Sequence, residues 1–167
     1  MLKNWKKWVL EALAIVAVVV AVTLWQTRGL PAGPAPGLVG TAIDGRPLAL
    51  ADVVRATNGK PVLVVFWATW CPVCKAEDGN IQSISADHPL LSVAMQSENV
   101  AKHLQERSLT FATIDDPRAA LADEWNVRGV PSHFIVDGKG NVRFRVVGYA
   151  TTWGLRARLW WAERFPS

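Results

Sequence analysis

Residues 66–77, FWATWCPVCKAE, contain both cysteines of the 167-residue chain, separated by two positions. They overlap an uncharged run at 61–68, PVLVVFWA, which is rich in β-branched residues and too short to cross a membrane. Such a run predicts a central strand that is buried on both faces. Pro72 follows Cys71 directly and suits the first turn of a helix, where its missing N–H costs nothing. The sequence therefore predicts that Cys71 lies between the end of a buried strand and the beginning of a helix.

Three roles are open to the pair Cys71 and Cys74. A structural disulfide that closes so small a loop would constrain the unfolded chain little. A closed metal site needs about four ligands. The sequence has no second Cys-x-x-Cys pair, and its scattered histidines are each expected at the surface or its boundary: His88, His103 and His133. We therefore predict no metal site, although two thiolates alone would suit Cu(I). Redox chemistry is favoured over both alternatives.

The predicted helix start also assigns a role to each sulfur. Free backbone N–H groups and the helix dipole stabilise an anion at a helix N-terminus. A thiol whose pKa is lowered from about 8.5 to about 7 is half thiolate at neutral pH. This shift corresponds to roughly 2 kcal/mol of stabilisation of the thiolate. We therefore predict Cys71 as the nucleophile. Cys74, one helical turn later and expected deeper, is predicted to resolve the mixed disulfide.

The remaining segments complete an α/β pattern. In chain order we expect a hairpin around Asp44-Gly45, a strand at 90–96, helices at 97–108 and 119–127, a hairpin at 130–148, and a last helix capped by Thr151 or Thr152. The order strand, helix, strand, helix, hairpin, helix predicts a mixed central sheet with helices on both faces.

An apolar segment near the N-terminus predicts a membrane span. The run at 8–25, WVLEALAIVAVVVAVTLW, has no charged residue after Glu11 and approaches the roughly 20 residues that a helix needs to cross a bilayer. The residues at 25–28, WQTR, match a signal-peptide cleavage site poorly, which favours an uncleaved anchor over a cleaved signal peptide. Three lysines precede the apolar residues and predict a cytoplasmic N-terminus: Lys3, Lys6 and Lys7.

These features divide the chain into three parts. We expect residues 1–28 to form a cytoplasmic N-terminus and a single anchor in the bacterial inner membrane, with the remainder in the oxidising periplasm. Residues 29–37, GLPAGPAPG, have the composition of a semi-stiff linker, and 38–167 should form one folded domain. Of the net charge of +4, +3 lies in 1–28. The domain therefore has no basic surface of the kind that binds nucleic acid.

Two motifs resemble those of a known superfamily. The stretch 66–77 resembles the active site of the thioredoxin fold, and GVPSHFIVDGKGNV at 129–142 resembles the proline loop and hairpin of that fold. The resemblance extends from Leu38 to the C-terminus and implies a thioredoxin-like protein thiol:disulfide oxidoreductase without a cofactor. The anchor and Glu77 resemble the TlpA, ResA and DsbE branch. The Trp-Cys-Pro-Val-Cys stretch is similar to that of suppressor for copper sensitivity protein D, which implies a role in copper-stress tolerance.

The resemblance also implies a substrate-binding surface around the cysteines. Pro131 matches the cis proline that faces the cysteine pair, and the backbone of Val130 is expected to pair with an extended substrate strand. Trp70 should form an exposed contact surface beside the reactive sulfur, whereas Trp67 should pack in the core. Pro72 and Val73, between the cysteines, complete the expected set of substrate contacts.

Three positions bear on proton transfer and on the helix. Thioredoxins carry a buried aspartate where this chain has Val65, so proton exchange with Cys74 should use Glu77 or water. Glu77 resembles the acid that tunes thiol titration in the ResA branch; its alternative role is that of a solvated helix carboxylate. Gly79 stands where the superfamily often has proline, and we expect it to loosen or break the helix.

These observations favour a membrane-tethered oxidoreductase that acts on the thiols or disulfides of proteins and is regenerated by a membrane electron donor. Reduction of apocytochrome c thiols is an alternative within the same chemistry. A copper-binding module or a non-catalytic adapter is an alternative of another class. Copper delivery is the weaker of these because Met95 is the only methionine besides Met1.

Overall fold

The computed structural model describes residues 5–166, with the side chain of Lys6 excepted. Residues 1–4, which include Lys3 of the expected cytoplasmic segment, and residue 167 lie outside the described residues. The described chain forms six helices and eight strands: α1 Trp5–Gln26, β1 Gly33–Pro34, β2 Val39–Thr41, β3 Pro47–Ala49, α2 Leu50–Ala56, β4 Val62–Trp67, α3 Pro72–Ser85, β5 Leu90–Met95, α4 Val100–Glu106, β6 Thr113–Asp116, α5 Ala120–Glu124, β7 Ser132–Val136, β8 Asn141–Val147 and α6 Thr152–Arg164.

A six-stranded mixed sheet forms the centre of the domain, in the order β1-β8-β7-β4-β5-β6. β4 pairs in parallel with β5, and β5 with β6, whereas β4 and β7 are antiparallel. The predicted hairpin around Asp44-Gly45 is present as β2 and β3, which form a separate two-stranded sheet. The predicted mixed sheet with helices on both faces is therefore confirmed.

The central strand β4 divides the core into two layers. All six of its residues are buried, and because successive side chains point to opposite faces, the strand serves both layers. Val62, Val64 and Phe66 pack in a layer with α2 and α5, here called the aromatic layer. Leu63, Val65 and Trp67 pack in a layer with α3 and α6 that also contains both cysteines, here called the cysteine layer.

Several predicted elements have different bounds in the structure. The helix predicted at 97–108 begins at Val100, because Asn99 is in the left-handed conformation with φ 53°. Ser97 instead accepts a hydrogen bond from the Thr69 N–H at 3.0 Å, next to the cysteine motif. The helix predicted at 119–127 is shorter, and α2 and β6 were not predicted. The expectation that Gly79 breaks its helix is wrong, because α3 runs through this residue without interruption.

The N-terminal helix is long and apolar enough to cross a membrane over Lys7–Gln26, and none of this segment is buried in the domain. The segment predicted as a linker contacts the domain. Leu30 is 7% exposed and packs in the aromatic layer, and Gly33 and Pro34 pair with β8. The division of the chain at residues 28 and 38 stays a prediction.

Candidate active site

Cys71 occupies the N-cap of α3, directly after the buried strand β4 and a short connection. Its Sγ accepts a hydrogen bond from the Cys74 N–H at 3.1 Å, as an N-cap side chain does. Pro72 takes the first helical position, as predicted. The thiol also lies 3.6 Å from the carbonyl oxygen of Val130, to which it donates. A thiolate formed at Cys71 would therefore meet the N–H groups of a helix N-terminus, which stabilise negative charge.

Cys74 lies one turn into α3, on the buried face of the helix. Burial raises the pKa of this thiol well above its ordinary value, and the hydrogen bond between its side chain and that of Cys71 raises it further. Cys74 is therefore a protonated thiol at neutral pH. Both cysteines are free and each is 4% exposed. The overall exposure of the two residues is therefore the same, and they differ in the hydrogen bonds of their sulfurs.

The Val130–Pro131 peptide bond is cis, as the resemblance predicted. The next strand, β7, pairs with β4, and this pairing brings the proline loop to the end of β4 that leads to the cysteines. Pro131 and Cys74 both line a cavity of about 10 Å³, close to the smallest space that holds one water molecule. The structure thus brings Val130 and Pro131 to the cysteine pair, as expected from the two sequence motifs.

Glu77 is buried beneath the cysteines and is not a solvated helix carboxylate. Its side chain is 2% exposed and that of His133 is 0% exposed, and Glu77 Oε2 lies 3.1 Å from His133 Nε2. Glu77 Oε1 accepts a hydrogen bond from the Ala150 N–H at 2.6 Å. The expectation that His133 lies at the surface or its boundary is wrong, because alternation along β7 turns its side chain into the cysteine layer.

A second buried acid, Asp78, was not predicted. Its Oδ2 accepts a hydrogen bond from Arg107 Nε at 2.8 Å and lies 3.1 Å from His103 Nε2. Both partners come from α4 and its C-terminal end, and Trp67 packs on the ring of His103 at a centroid distance of 5.1 Å. Asp78 lines the same cavity as Cys74 and Glu77. Two buried carboxylates therefore lie close to the resolving cysteine.

An exposed apolar rim surrounds Cys71. Trp70 is 57% exposed and Val73 43% exposed, and Pro72 between the cysteines is also exposed. The indole N–H of Trp70 donates to the Gln96 carbonyl at 2.9 Å, which fixes its ring beside the motif. Trp67, by contrast, is buried, as expected. The part of these rim residues in substrate binding stays a prediction.

Among residues 5–166, no group of three or more His, Cys, Asp or Glu side chains could hold a metal ion. The polar side chains near the cysteines are instead engaged with one another: Glu77 with His133, and Asp78 with His103 and Arg107.

The sequence profile of the AhpC/TSA family matches residues 31–145. The chain belongs to the AhpC/TSA family. The thiol:disulfide interchange protein DsbE of Escherichia coli K12 is 31% identical, with 96% of this chain and 93% of that protein covered. A thioredoxin-like protein of Haemophilus influenzae is 33% identical over 65% of this chain and 66% of its own length. These relatives support protein thiol:disulfide oxidoreductase activity.

Solved structures confirm the thioredoxin-like fold. A thiol:disulfide interchange protein of Chlorobium tepidum superposes with a TM-score of 0.69 at 23% identity, covering 79% of this chain and 97% of that one. The predicted resemblance to the DsbE branch of the thioredoxin superfamily is therefore confirmed. The finer resemblance to suppressor for copper sensitivity protein D stays a prediction.

Proposed function

We propose that this protein is a membrane-tethered periplasmic thiol:disulfide oxidoreductase in which Cys71 attacks disulfides of substrate proteins and Cys74 resolves the product. The Cys71 thiolate attacks one sulfur of the substrate disulfide, which forms a mixed disulfide and releases the other substrate sulfur as a thiolate. Cys74 then loses its proton and attacks Cys71 Sγ, and the substrate sulfur bonded to Cys71 leaves as a second thiolate. The substrate gains two electrons and the Cys71-Cys74 pair is oxidised to a disulfide.

The observation that carries this proposal is the different hydrogen bonding of the two sulfurs. Cys71 Sγ accepts the Cys74 N–H at a helix N-terminus, which favours an anion. Burial raises the pKa of Cys74 and keeps it protonated. A nucleophile whose sulfur accepts a hydrogen bond at a helix N-terminus, and a resolving thiol that keeps its proton until the mixed disulfide forms, are the pair that this exchange requires.

The same surface supports binding of an extended segment of a substrate protein. Val130 precedes the cis proline, and its carbonyl lies beside Cys71 Sγ. Backbone groups at such a position are suited to pair with an added strand. The exposed apolar side chains of Trp70, Pro72 and Val73 would then contact the substrate next to its disulfide.

Tethering follows from the N-terminal helix. In our proposal it crosses the inner membrane once, with the N-terminus in the cytoplasm and the catalytic domain in the periplasm, as the lysines before it favour. Because this compartment is oxidising, repeated reduction of substrates requires a membrane electron donor that returns two electrons to the Cys71-Cys74 disulfide. Carbonate extraction of membranes tests the tether. The protein should stay in the membrane fraction, and release into the soluble fraction would contradict an uncleaved anchor.

Activity is tested by insulin reduction with the full chain in detergent and dithiothreitol as reductant. We expect turnover that is lost in both Cys71→Ser and Cys74→Ser. Cys74→Ser should also retain its substrate as a covalent adduct in cells, because the mixed disulfide cannot be resolved. Failure of the wild type to reduce insulin, together with the absence of an adduct on Cys74→Ser, would instead favour a copper-binding or non-catalytic adapter module.

The trapped adduct also separates the finer alternatives. Relatives named DsbE match 96% of this chain, and the DsbE branch resemblance favours apocytochrome c thiols as a second candidate substrate. A haem-binding Cys-x-x-Cys-His peptide in the adduct would support this candidate. A role in copper-stress tolerance rests on the Trp70–Cys74 stretch alone and predicts growth loss on copper when the protein is absent.

A further inference from the structure

Glu77 and His133 form a fully buried pair on the cysteine side of the sheet. Their side chains are 2% and 0% exposed, and Oε2 and Nε2 are 3.1 Å apart. The other end of each group is also engaged. Glu77 Oε1 accepts from the Ala150 N–H at 2.6 Å, and His133 Nδ1 lies 3.3 Å from the carbonyl oxygen of Val146. Each hydrogen-bonding position of the pair thus has one defined partner.

These partners fix where the protons of the pair lie. A carbonyl oxygen only accepts, so His133 Nδ1 must carry a hydrogen to bond to Val146. The Ala150 N–H only donates, so Glu77 Oε1 accepts. One proton is left to share between His133 Nε2 and Glu77 Oε2, either as an imidazolium with a carboxylate or as a neutral imidazole with a carboxylic acid. Without that proton, two lone pairs would face each other around a buried negative charge, which costs several kcal/mol.

The other charged groups of this layer are already paired. Asp78 is balanced by Arg107 at 2.8 Å and lies 3.1 Å from His103, both on the α4 side. The titratable side chains that line the cavity are those of Cys74, Glu77 and Asp78. Glu77 lies three residues after Cys74 on the buried face of α3. Of the two buried acids beside Cys74, Asp78 is paired with an arginine, whose charge is fixed. Glu77 is paired with His133, whose charge can change, so the Glu77–His133 pair is the one that can take up the Cys74 proton.

We propose that His133 is a positioning residue for the resolving step: it shares one proton with Glu77 and so keeps a neutral, proton-accepting pair beside Cys74. The proposal rests on the proposed function of Cys71 and Cys74. With His133 present, the Cys74 proton passes to the pair, directly or through one water in the cavity, and the pair becomes positively charged. That charge faces the new thiolate and stabilises it. Without His133, proton transfer to Glu77 would leave no positive charge near the sulfur.

The step balances in protons and electrons. Cys74 S–H gives its proton to the Glu77–His133 pair, and the Cys74 sulfur attacks Cys71 Sγ in the mixed disulfide. The bond from Cys71 to the substrate breaks as the Cys71-Cys74 bond forms, and the substrate sulfur leaves as a thiolate. The pair then releases its extra proton to that thiolate or to solvent, which restores the neutral pair.

The kinetic test separates attack from resolution in the full chain in detergent. An aryl disulfide such as Ellman's reagent first forms an adduct on Cys71 and releases one coloured thiol, and Cys74 then releases the second. In His133→Gln, an amide replaces the ring and still donates to Glu77, but it cannot carry the shared proton. We expect the second release to be slowed about tenfold at pH 7, with its pH midpoint about one unit higher, while the first release is unchanged. His88→Gln is the matched control, because His88 Nδ1 also lies 3.0 Å from a carboxylate oxygen, that of Asp87.

A second measurement needs no variant of His133. The ring nitrogen NMR signals of labelled wild-type protein at pH 7 report which nitrogen atoms of His133 carry hydrogen. We expect His133 to carry a hydrogen on Nδ1, as its bond to the Val146 carbonyl requires, and to share a proton at Nε2 with Glu77. In Glu77→Gln, which has no carboxylate to share that proton, the Nε2 signal should change.

The outcomes distinguish the inference from the function on which it rests. If wild-type protein forms the Cys71 adduct but never releases the second thiol, the proposed function fails. If it releases both and His133→Gln has the same second-step rate and pH profile, only the role of His133 is refuted. A His133 ring whose Nε2 shares no proton with Glu77 in the wild type also refutes it, including in the case that His133→Gln does not fold.

Discussion

Both core layers that meet at β4 contain apolar side chains, but they differ in the other residues that they contain. In the aromatic layer, Phe66, Trp125 and Phe134 are fully buried, and their ring centroids lie 4.9 to 5.8 Å apart. In the cysteine layer, Cys71 and Cys74 lie among aliphatic residues and the rings of Trp67 and Phe111, with the buried pair Glu77 and His133 below them. β4 thus separates a layer of packed apolar side chains from a layer that also contains titratable side chains.

This separation has a consequence for substitutions. Removing a large ring from the aromatic layer should change the free energy of unfolding without changing the thiol chemistry. Removing a titratable or exposed group near the cysteines should change the pH dependence or the substrate affinity more than it changes stability. A substitution in one layer leaves the properties of the other layer unchanged only if the sheet transmits little strain between them.

The largest expected effect is that of Trp125→Ala. Trp125 is fully buried and contacts both other rings, so its removal leaves a cavity and should lower the free energy of unfolding by about 3–5 kcal/mol. Urea unfolding of the full chain in detergent measures this loss. Trp153→Ala, at a residue 84% exposed on α6, is the control and should change stability by about 0.5 kcal/mol or less. Altered relative alkylation of the two cysteines in Trp125→Ala would show that the layers are coupled.

The sequence predicted the elements of the cysteine layer more completely than those of the aromatic layer. An unbroken β-branched run and its short length were enough to predict β4, and Pro72 was enough to predict the start of α3. By contrast, β6 has the sequence TIDD and becomes a strand only through pairing with β5. α2 begins directly after β3, and its N-cap is Ala49, which has no capping side chain, so no sequence signal marks the start of this helix.

The contact between Glu77 and His133 was missed for a different reason. The two residues are 56 positions apart, and no local spacing joins them. The register of β7 against β4, which sets His133 opposite Val65, brings the ring beneath α3. One signal was present: Val65 replaces the buried acid of thioredoxins, so another buried proton carrier was needed in this layer.

An intermediate effect is expected from pH. Because burial raises the pKa of Cys74, the reduced native protein keeps a proton that the unfolded chain loses above its ordinary pKa of roughly 8.5. This contribution to stability is complete below that pH and is lost as the pH rises above it, by up to about 1.4 kcal/mol for each pH unit. Unfolding of reduced protein from pH 7.5 to 10 measures the slope.

The matched control for this pH effect is Cys74→Ser, which lacks the thiol. Its stability should fall less steeply over the same range, and the difference between the two slopes belongs to Cys74. Equal slopes would mean that burial in the cysteine layer does not raise the pKa of the Cys74 thiol.

The smallest effect on stability is expected for Trp70→Ala. Because Trp70 is 57% exposed, its removal should cost about 0.5 kcal/mol or less. If its ring contacts substrate, the KM for a protein disulfide should rise severalfold, since an aromatic anchor at an interface is worth about 1–2 kcal/mol or more. Steady-state reduction of insulin measures this change, and Trp153→Ala serves again as the exposed control. An unchanged KM would remove Trp70 from the substrate surface.

The most direct test of the account is the order in which the two sulfurs react. The reduced full chain is treated with limiting iodoacetamide at pH 7, and mass spectrometry gives the alkylated fraction at each cysteine. The overall exposure of the two residues is the same, 4% each, so the different hydrogen bonding of the two sulfurs is the expected source of a difference. We predict that Cys71 is alkylated first and that Cys74 remains a thiol until Cys71 is consumed. Faster alkylation of Cys74 would contradict the assignment of nucleophile and resolving thiol.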